Sequence, residues 1–267
     1  MLKNITLGQY YPVDSAVHRL DPRTKLILVI AFIIAIFLIK TLAGYAVALG
    51  FIFMAAHFSK VPWKMLLKGL KPLRFILILT FLLNLFFSAG ETVLVKLGFI
   101  TITQEGLNLA VHFSLRLVFL VMGTSLLTLT TSPVSLADGI ELLLKPLRVI
   151  HFPAHELAMM MTIALRFIPT LLEETDKIMK AQTARGADFE NGNLIQRAKA
   201  MVPLLVPLFV SAFRRASDLA MAMEARCYHG GDQRTRLRIL KFTQRDLTAS
   251  LAMAAFISLI VVERTVL

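Results

Sequence analysis

Two arginines in matching short stretches are the residues of this 267-residue chain best placed to act on another molecule. Ala181-Gln182-Thr183-Ala184-Arg185-Gly186 and Ala222-Met223-Glu224-Ala225-Arg226-Cys227 each close a long helical run. In both, alanines precede one arginine and a turn-prone segment follows, Gly186-Ala187-Asp188 in the first copy and His229-Gly230-Gly231 in the second. One arginine at a helix C-terminus ordinarily complements the helix macrodipole. Its duplication points further, because a guanidinium is a permanent charge carrying a rigid fork of donors suited to carboxylates and carbonyl edges. Ala184, Gly186 and Ala225 would let a partner's backbone come near. The chemistry expected of these residues is docking.

Catalytic patterns are missing. No Gly-x-x-x-x-Gly-Lys-Ser/Thr loop and no Gly-x-Gly-x-x-Gly frame occurs, so the chain is not expected to bind ATP and any ATPase has to be a separate subunit. His155-Glu156 begins like a zinc-protease His-Glu-x-x-His, but the fifth position is Met159. His151 and His155 are four apart with Pro153 between them and no third ligand, so neither a metal nor another cofactor is expected. The lone Cys227 rules out an internal disulfide. Glu173-Glu174 reads as a solvated helical face. Arg116 differs, because it interrupts an apolar run, where a charge is expensive and usually faces protein. It is a candidate intramembrane polar site. It either touches a substrate or partner, or is a structural arginine paired with carbonyls or with acids such as Glu156.

The elements that must position these residues are apolar. Hydrophobic residues make up 57% of the chain, mean hydropathy is +0.71, and the class is a multi-span membrane protein. The net charge of +12 could suggest nucleic acid. The basic residues instead border apolar runs and form no aromatic-interleaved face, so no nucleic-acid partner is expected. Residues 26–39 and 42–58, parted only by Lys40-Thr41, read as a helical hairpin. Pro22 opens the first helix, with Asp21 as its cap. Residues 59–71, holding Lys60, Lys64, Lys68 and Lys71 with Trp63, read as an interfacial helix with three lysines on one face. Residues 73–89, 107–129 and 247–262 complete five spans, and 90–105 is a connector of alternating character.

Residues 133–245 form neither a soluble domain nor ordinary spans. Pro153 opens a first rod that runs to Arg185, about 48 Å at 1.5 Å per residue, kinked at Pro169. Asn193 caps a second rod that runs to Arg226, with bends near Pro203 and Pro207. On the second rod Ala212, Ala216 and Ala220 recur every four residues, a small-residue stripe where the rods are expected to cross. The expected organisation is 1–132 spans, 133–245 coupling region and 246–267 a last span. Lys3, Arg19, Arg23, Lys25, Lys60, Lys64, Lys68, Lys71 and Arg74 fall on one side with everything basic from Lys145 to Arg245, against Lys40, Lys96 and Arg264 on the other. That bias orients the N-terminus and the rods to the cytoplasm.

The fold class is therefore an all-α polytopic membrane protein, with about five spans and two long crossing cytoplasmic coupling helices. One reading of its function is a coupler that passes movement to a partner. The other is a self-contained secondary transporter or intramembrane enzyme using Arg116, His112 and Glu156.

Five segments carry a family resemblance along most of the chain. They are Leu20-Asp21-Pro22-Arg23-Thr24-Lys25, Thr130-Thr131-Ser132-Pro133, Leu165-Arg166-Phe167-Ile168-Pro169 and the two arginine stretches. Together they resemble the transmembrane T component of energy-coupling factor transporters, the EcfT family. The resemblance implies that Ala184, Arg185, Gly186, Ala225, Arg226 and Cys227 dock into grooves of two ATP-binding cassette ATPase subunits. It also implies that the spans and the apolar halves of the rods hold a membrane-embedded substrate-binding S component, for uptake of a vitamin or trace metal across the cell membrane. The second copy departs from the first in having Cys227 where Gly186 stands.

Overall fold

A computed structural model describes residues 10–88, 90, 92–97, 100–150, 152–187, 189, 193–228, 230 and 240–266. Lys3, Gln9, His151, Asp188, His229 and Gly231 lie outside the described residues, as does the side chain of Lys96. The chain falls into two compact units, Gly8–Leu142 with Ile239–Leu267, and Leu143–Arg238.

In the first unit the helices are α1 (Pro22–Leu38), α2 (Leu42–Ser59), α3 (Trp63–Leu70), α4 (Arg74–Phe87), α5 (Gln104–Thr130), α6 (Pro133–Leu144, whose last residues pass into the second unit) and α9 (Gln244–Val266). Asp21 caps α1, its side chain accepting the Arg23 N–H at 2.9 Å, and Pro22 takes the first turn, where its missing N–H is no loss. The expected connector carries a two-stranded antiparallel pair, Val93–Leu97 with Ile100–Thr103. Its alternating character was the legible trace of that pairing.

One expectation is corrected. Helices α1 and α2 do not lie along each other as a hairpin; each packs on α5 and α9. Ile39, extended at φ −67° and ψ 127°, breaks the helix and lets the two diverge. Lys60 ends α2 in the left-handed region at φ 55°, while Lys64, Lys68 and Lys71, the last with helical backbone at the C-cap of α3, keep the i, i+4, i+7 spacing of one face; the fully buried residue of α3 is Leu66.

The core follows helical spacing. Phe32, Ala35, Ile36 and Ile39 meet Tyr45, Ala48 and Ile52, Phe119 and Met122, and Met253, Phe256 and Ile260. At its centre the Phe51 and Phe256 rings stack at 4.5 Å, with Phe32 within 6.0 Å of both. Gly123 makes room there, since a Cβ would meet the Phe32 ring at 2.5 Å. The outer surface is equally apolar. Ile27, Ile30, Ile34 and Phe37 on α1 and Phe75, Ile78 and Phe87 on α4 are all more than half exposed. So much uncovered apolar surface belongs against lipid.

Among the described residues six stretches are long and apolar enough to cross a membrane. They are Leu42–Ser59, Trp63–Phe87, Gln104–Thr130, Ala154–Ala184, Ala198–Glu224 and Gln244–Thr265. The protein is an all-α multi-pass membrane protein. By this measure both rods join the set, while α1 has 17 residues, about 26 Å, a short crossing.

The second unit is built on α7 (Ala154–Ala184) and α8 (Leu194–Glu224), each of 31 residues, preceded by a 3-10 turn at Lys145–Ile150. Helix α7 runs through Pro169, and α8 through Pro203 and Pro207. The Gln196 side chain accepts the Asn193 N–H at 3.0 Å and so closes the start of α8.

Candidate functional site

The two arginine stretches fold into the same turn. At the end of α7 the Gly186 N–H donates to Thr183 O and the Ala187 N–H to Gln182 O, both at 3.0 Å. At the end of α8 the Cys227 N–H donates to Glu224 O at 2.8 Å and the Tyr228 N–H to Met223 O at 3.0 Å. Residue for residue, Gly186 corresponds to Cys227 and Arg185 to Arg226. Both are the helix-ending turn in which one residue goes left-handed so that the last carbonyls find donors. Gly186 does so at φ 90° and Cys227 at φ 57°. All six residues, Ala184, Arg185, Gly186, Ala225, Arg226 and Cys227, are exposed. Two rods of equal length thus present two equivalent cationic tips.

Between the rods lies an open cleft of about 250 Å³. One wall is Ile163, Phe167 and Leu171 of α7; Ala212, Ala216 and Ala220 of α8 line the other. Four-residue steps put each set on one helical face. Beside the cleft, Glu174 reaches across from α7 and accepts from the Ser211 hydroxyl at 2.5 Å and from Arg215 at 3.0 Å. This corrects the reading of Glu173-Glu174 as one solvated face. Glu173 is exposed, whereas Glu174 turns onto α8. From this clasp Arg185 lies about 16 Å further along α7, and Arg226 about 16–22 Å further along α8. The arms are of similar length. Phe209, Val210 and Phe213 leave the membrane-facing type of surface on α8 uncovered, at 56–71% exposure.

In the other unit, two of the motif segments meet. Lys25 Nζ donates to the Thr130 carbonyl at 2.8 Å and to the His18 carbonyl at 3.1 Å. Arg23 holds Asp21 with two bonds, at 3.0 and 2.8 Å, and lies 4.2 Å over the Phe242 ring. Asp246, unremarked in the sequence, closes this junction. It accepts the Asp21 N–H at 2.8 Å, and the N–H and hydroxyl of Thr243 at 2.7 Å each. Thr243-x-x-Asp246 is a capping pattern that could have announced it. Nearby, the His18 Nε2–H donates to Tyr11 O at 2.9 Å, so Nδ1 accepts from the Ser15 hydroxyl at 2.7 Å. Burial holds the His18 imidazole below its ordinary value of 6.5.

Arg116 is paired with a carbonyl. It donates to Ile39 O at 3.4 Å and lies over the Phe37 and Phe113 rings at 5.3 and 5.4 Å. His112 packs its ring 5.5 Å from Tyr45, whose hydroxyl donates to the His112 carbonyl. Glu156, third member of the rival site, is exposed in the first turn of α7 in the other unit.

The CbiQ family, described as cobalt transport protein, matches residues 14–237. Full-length relatives match as well. The energy-coupling factor transporter transmembrane protein EcfT of Thermosediminibacter oceani is 58% identical over 251 residues, 94% of each chain. That of Clostridium kluyveri is 54% identical over 265 residues, 99% of this chain and 98% of its own. That of Bacillus subtilis is 48% identical over 260 residues, 97% of this chain and 98% of its own.

Proposed function

The chain belongs to the family of energy-coupling factor transporter transmembrane proteins, and from that premise we propose that its two arginine tips are docking points for a pair of ATP-binding cassette ATPase subunits. The protein is the transmembrane scaffold and energy-coupling subunit of an ATP-driven importer of that class. The observation that carries the docking assignment is the identity of the two turns, each presenting one exposed guanidinium beside small or turn residues. A rigid fork of donors on a short, uncluttered turn fits a groove lined with carboxylates or carbonyls.

Each ATPase takes one tip. Hydrolysis in the pair moves the rods against each other about the Glu174 clasp and the alanine-lined cleft. The uncovered apolar faces of the rods bind a membrane-embedded S component, which selects the vitamin or trace metal. The basic excess on the rods' side of the sequence supports a cytoplasmic location for the tips and the N-terminus. The chain itself is non-catalytic, as the missing phosphate loop implies. Affinity purification of the tagged chain from membranes tests this assembly. Two ATPase polypeptides and one small hydrophobic membrane protein should travel with it; a chain that purifies alone and still transports after reconstitution would refute it.

A further inference from the structure

We propose, on the basis of the scaffold reading above, that the turn Asp21–Lys25 anchors both stretches of backbone that lead to the rods, with Arg23 and Gly139 as positioning residues for energy coupling. The unit that holds the rods, Leu143–Arg238, follows Leu142 of the membrane unit, and the chain re-enters that unit at Ile239. A push at the tips travels along these two stretches only if their ends in the membrane unit are held, because coupling needs packed, rigid elements. The outgoing stretch is held at two points. Lys25 Nζ donates to the carbonyl of Thr130 at 2.8 Å, where α5 ends. Further on, Gly139 of α6 lies so close to α1 that a Cβ would meet Pro22 Cβ at 2.9 Å and the Pro22 carbonyl carbon at 3.2 Å.

The same turn holds the returning stretch. Arg23 Nη2 donates to the Leu240 carbonyl at 3.3 Å, and the guanidinium covers the Phe242 ring. The Asp21 N–H then donates to Asp246 in the first turn of α9. Asp21, its side chain 1% exposed, fixes the Arg23 fork with two bonds, so the donor to Leu240 is preset. A helix cap alone would need only Asp21 and Pro22 and would serve the N–H groups of α1 itself. Arg23 and Lys25 instead donate to carbonyls 217 and 105 residues away, one on each stretch. Phe242 is 65% exposed, so burial does not hold it; the cation above its face does.

Two variants test the anchor, in the full chain alone and in the complex purified through it. Gly139→Ala adds the Cβ that meets Pro22, and Arg23→Lys keeps a charge beside Asp21 but loses the fork. Should either not fold, Phe242→Ala removes an exposed ring from under Arg23, and Phe242→Tyr, which keeps an aromatic face, should behave as wild type. In the chain alone, amide hydrogen exchange should quicken over 136–142 in Gly139→Ala and over 240–246 in Arg23→Lys and Phe242→Ala. In the complex, ATPase co-purification and ATP hydrolysis should match wild type while transport per ATP falls about fivefold. Unchanged exchange in every variant that folds, or quickened exchange with wild-type transport per ATP, would overturn the anchor and leave the scaffold reading standing. A wild-type chain that brings no ATPase with it would overturn both.

Discussion

Gly186 and Cys227 occupy the same position in two copies of one helix-ending turn, each with a left-handed backbone and each followed by an N–H that bonds a carbonyl five residues back at 3.0 Å. The difference in side chain therefore does not change the backbone that presents Arg185 and Arg226. It changes the strain, because a Cβ in the left-handed region clashes with the carbonyl that follows it. It also places a thiol beside one guanidinium and nothing beside the other.

Cys227→Gly should raise stability by about 1 kcal/mol, the relief of left-handed strain less the extra freedom of glycine in the unfolded chain. Thermal unfolding in detergent checks it. Gly186→Ala at φ 90° should lower stability by a similar amount. Co-purification of partner subunits should be unchanged in Cys227→Gly if the backbone is what the groove reads.

Glu174→Ala removes the acceptor shared by Ser211 and Arg215. Because Arg215 is 42% exposed, the loss of stability should be small, about 1 kcal/mol or less. Coupling should suffer more. With the clasp gone the rods can slide, so ATP hydrolysis by the assembled complex should persist while transport per ATP falls. A variant that transports wild-type amounts per ATP would remove the clasp from the coupling pathway.

Asp246→Ala strips three donors of their acceptor at the junction of α1 and α9, the Asp21 N–H and the two donors of Thr243. A loss of about 2–4 kcal/mol is expected from unsatisfied groups in a partly buried site. Asp246→Asn, which keeps one acceptor oxygen, should lose less. Denaturant unfolding of the purified chain compares the two.

The fold holds His18 neutral, with Nε2 donating to Tyr11 and Nδ1 accepting from Ser15. Its value is lowered from 6.5, so unfolding takes up a proton in the window just below 6.5. The stabilising contribution is whole above that value and is lost as pH falls through it. The stability difference between wild type and His18→Gln should shrink from pH 7.5 to pH 5. A difference that grows on acidification would mean that the charged ring is the favoured form.

The rods and their tips were legible because helical spacing, missing glycines and a duplicated ending are local properties. The Ala212, Ala216 and Ala220 stripe was legible for the same reason, and these residues line the cleft against α7. What escaped depends on contacts between distant segments. Glu173 and Glu174 differ by about 100° around a helix, and only the course of α8 decides which of them is solvated. Asp246 showed its local capping pattern, yet its bond to Asp21 spans 225 residues and has no local signature. The Lys40-Thr41 break was read as a hairpin because a short connector usually joins neighbours. The extended Ile39 lets the helices diverge instead, each onto α5 and α9 and not along the other.

The central claim is that each tip holds one ATPase, and counting ATPases per chain tests it most directly. Complex purified through the chain should carry two ATPase subunits in wild type and one in either Arg185→Ala or Arg226→Ala. The double variant should carry none while the membrane fold survives, since truncating a buried charged contact costs about 2–5 kcal/mol. Two ATPases retained by the double variant, with transport intact, would contradict the account.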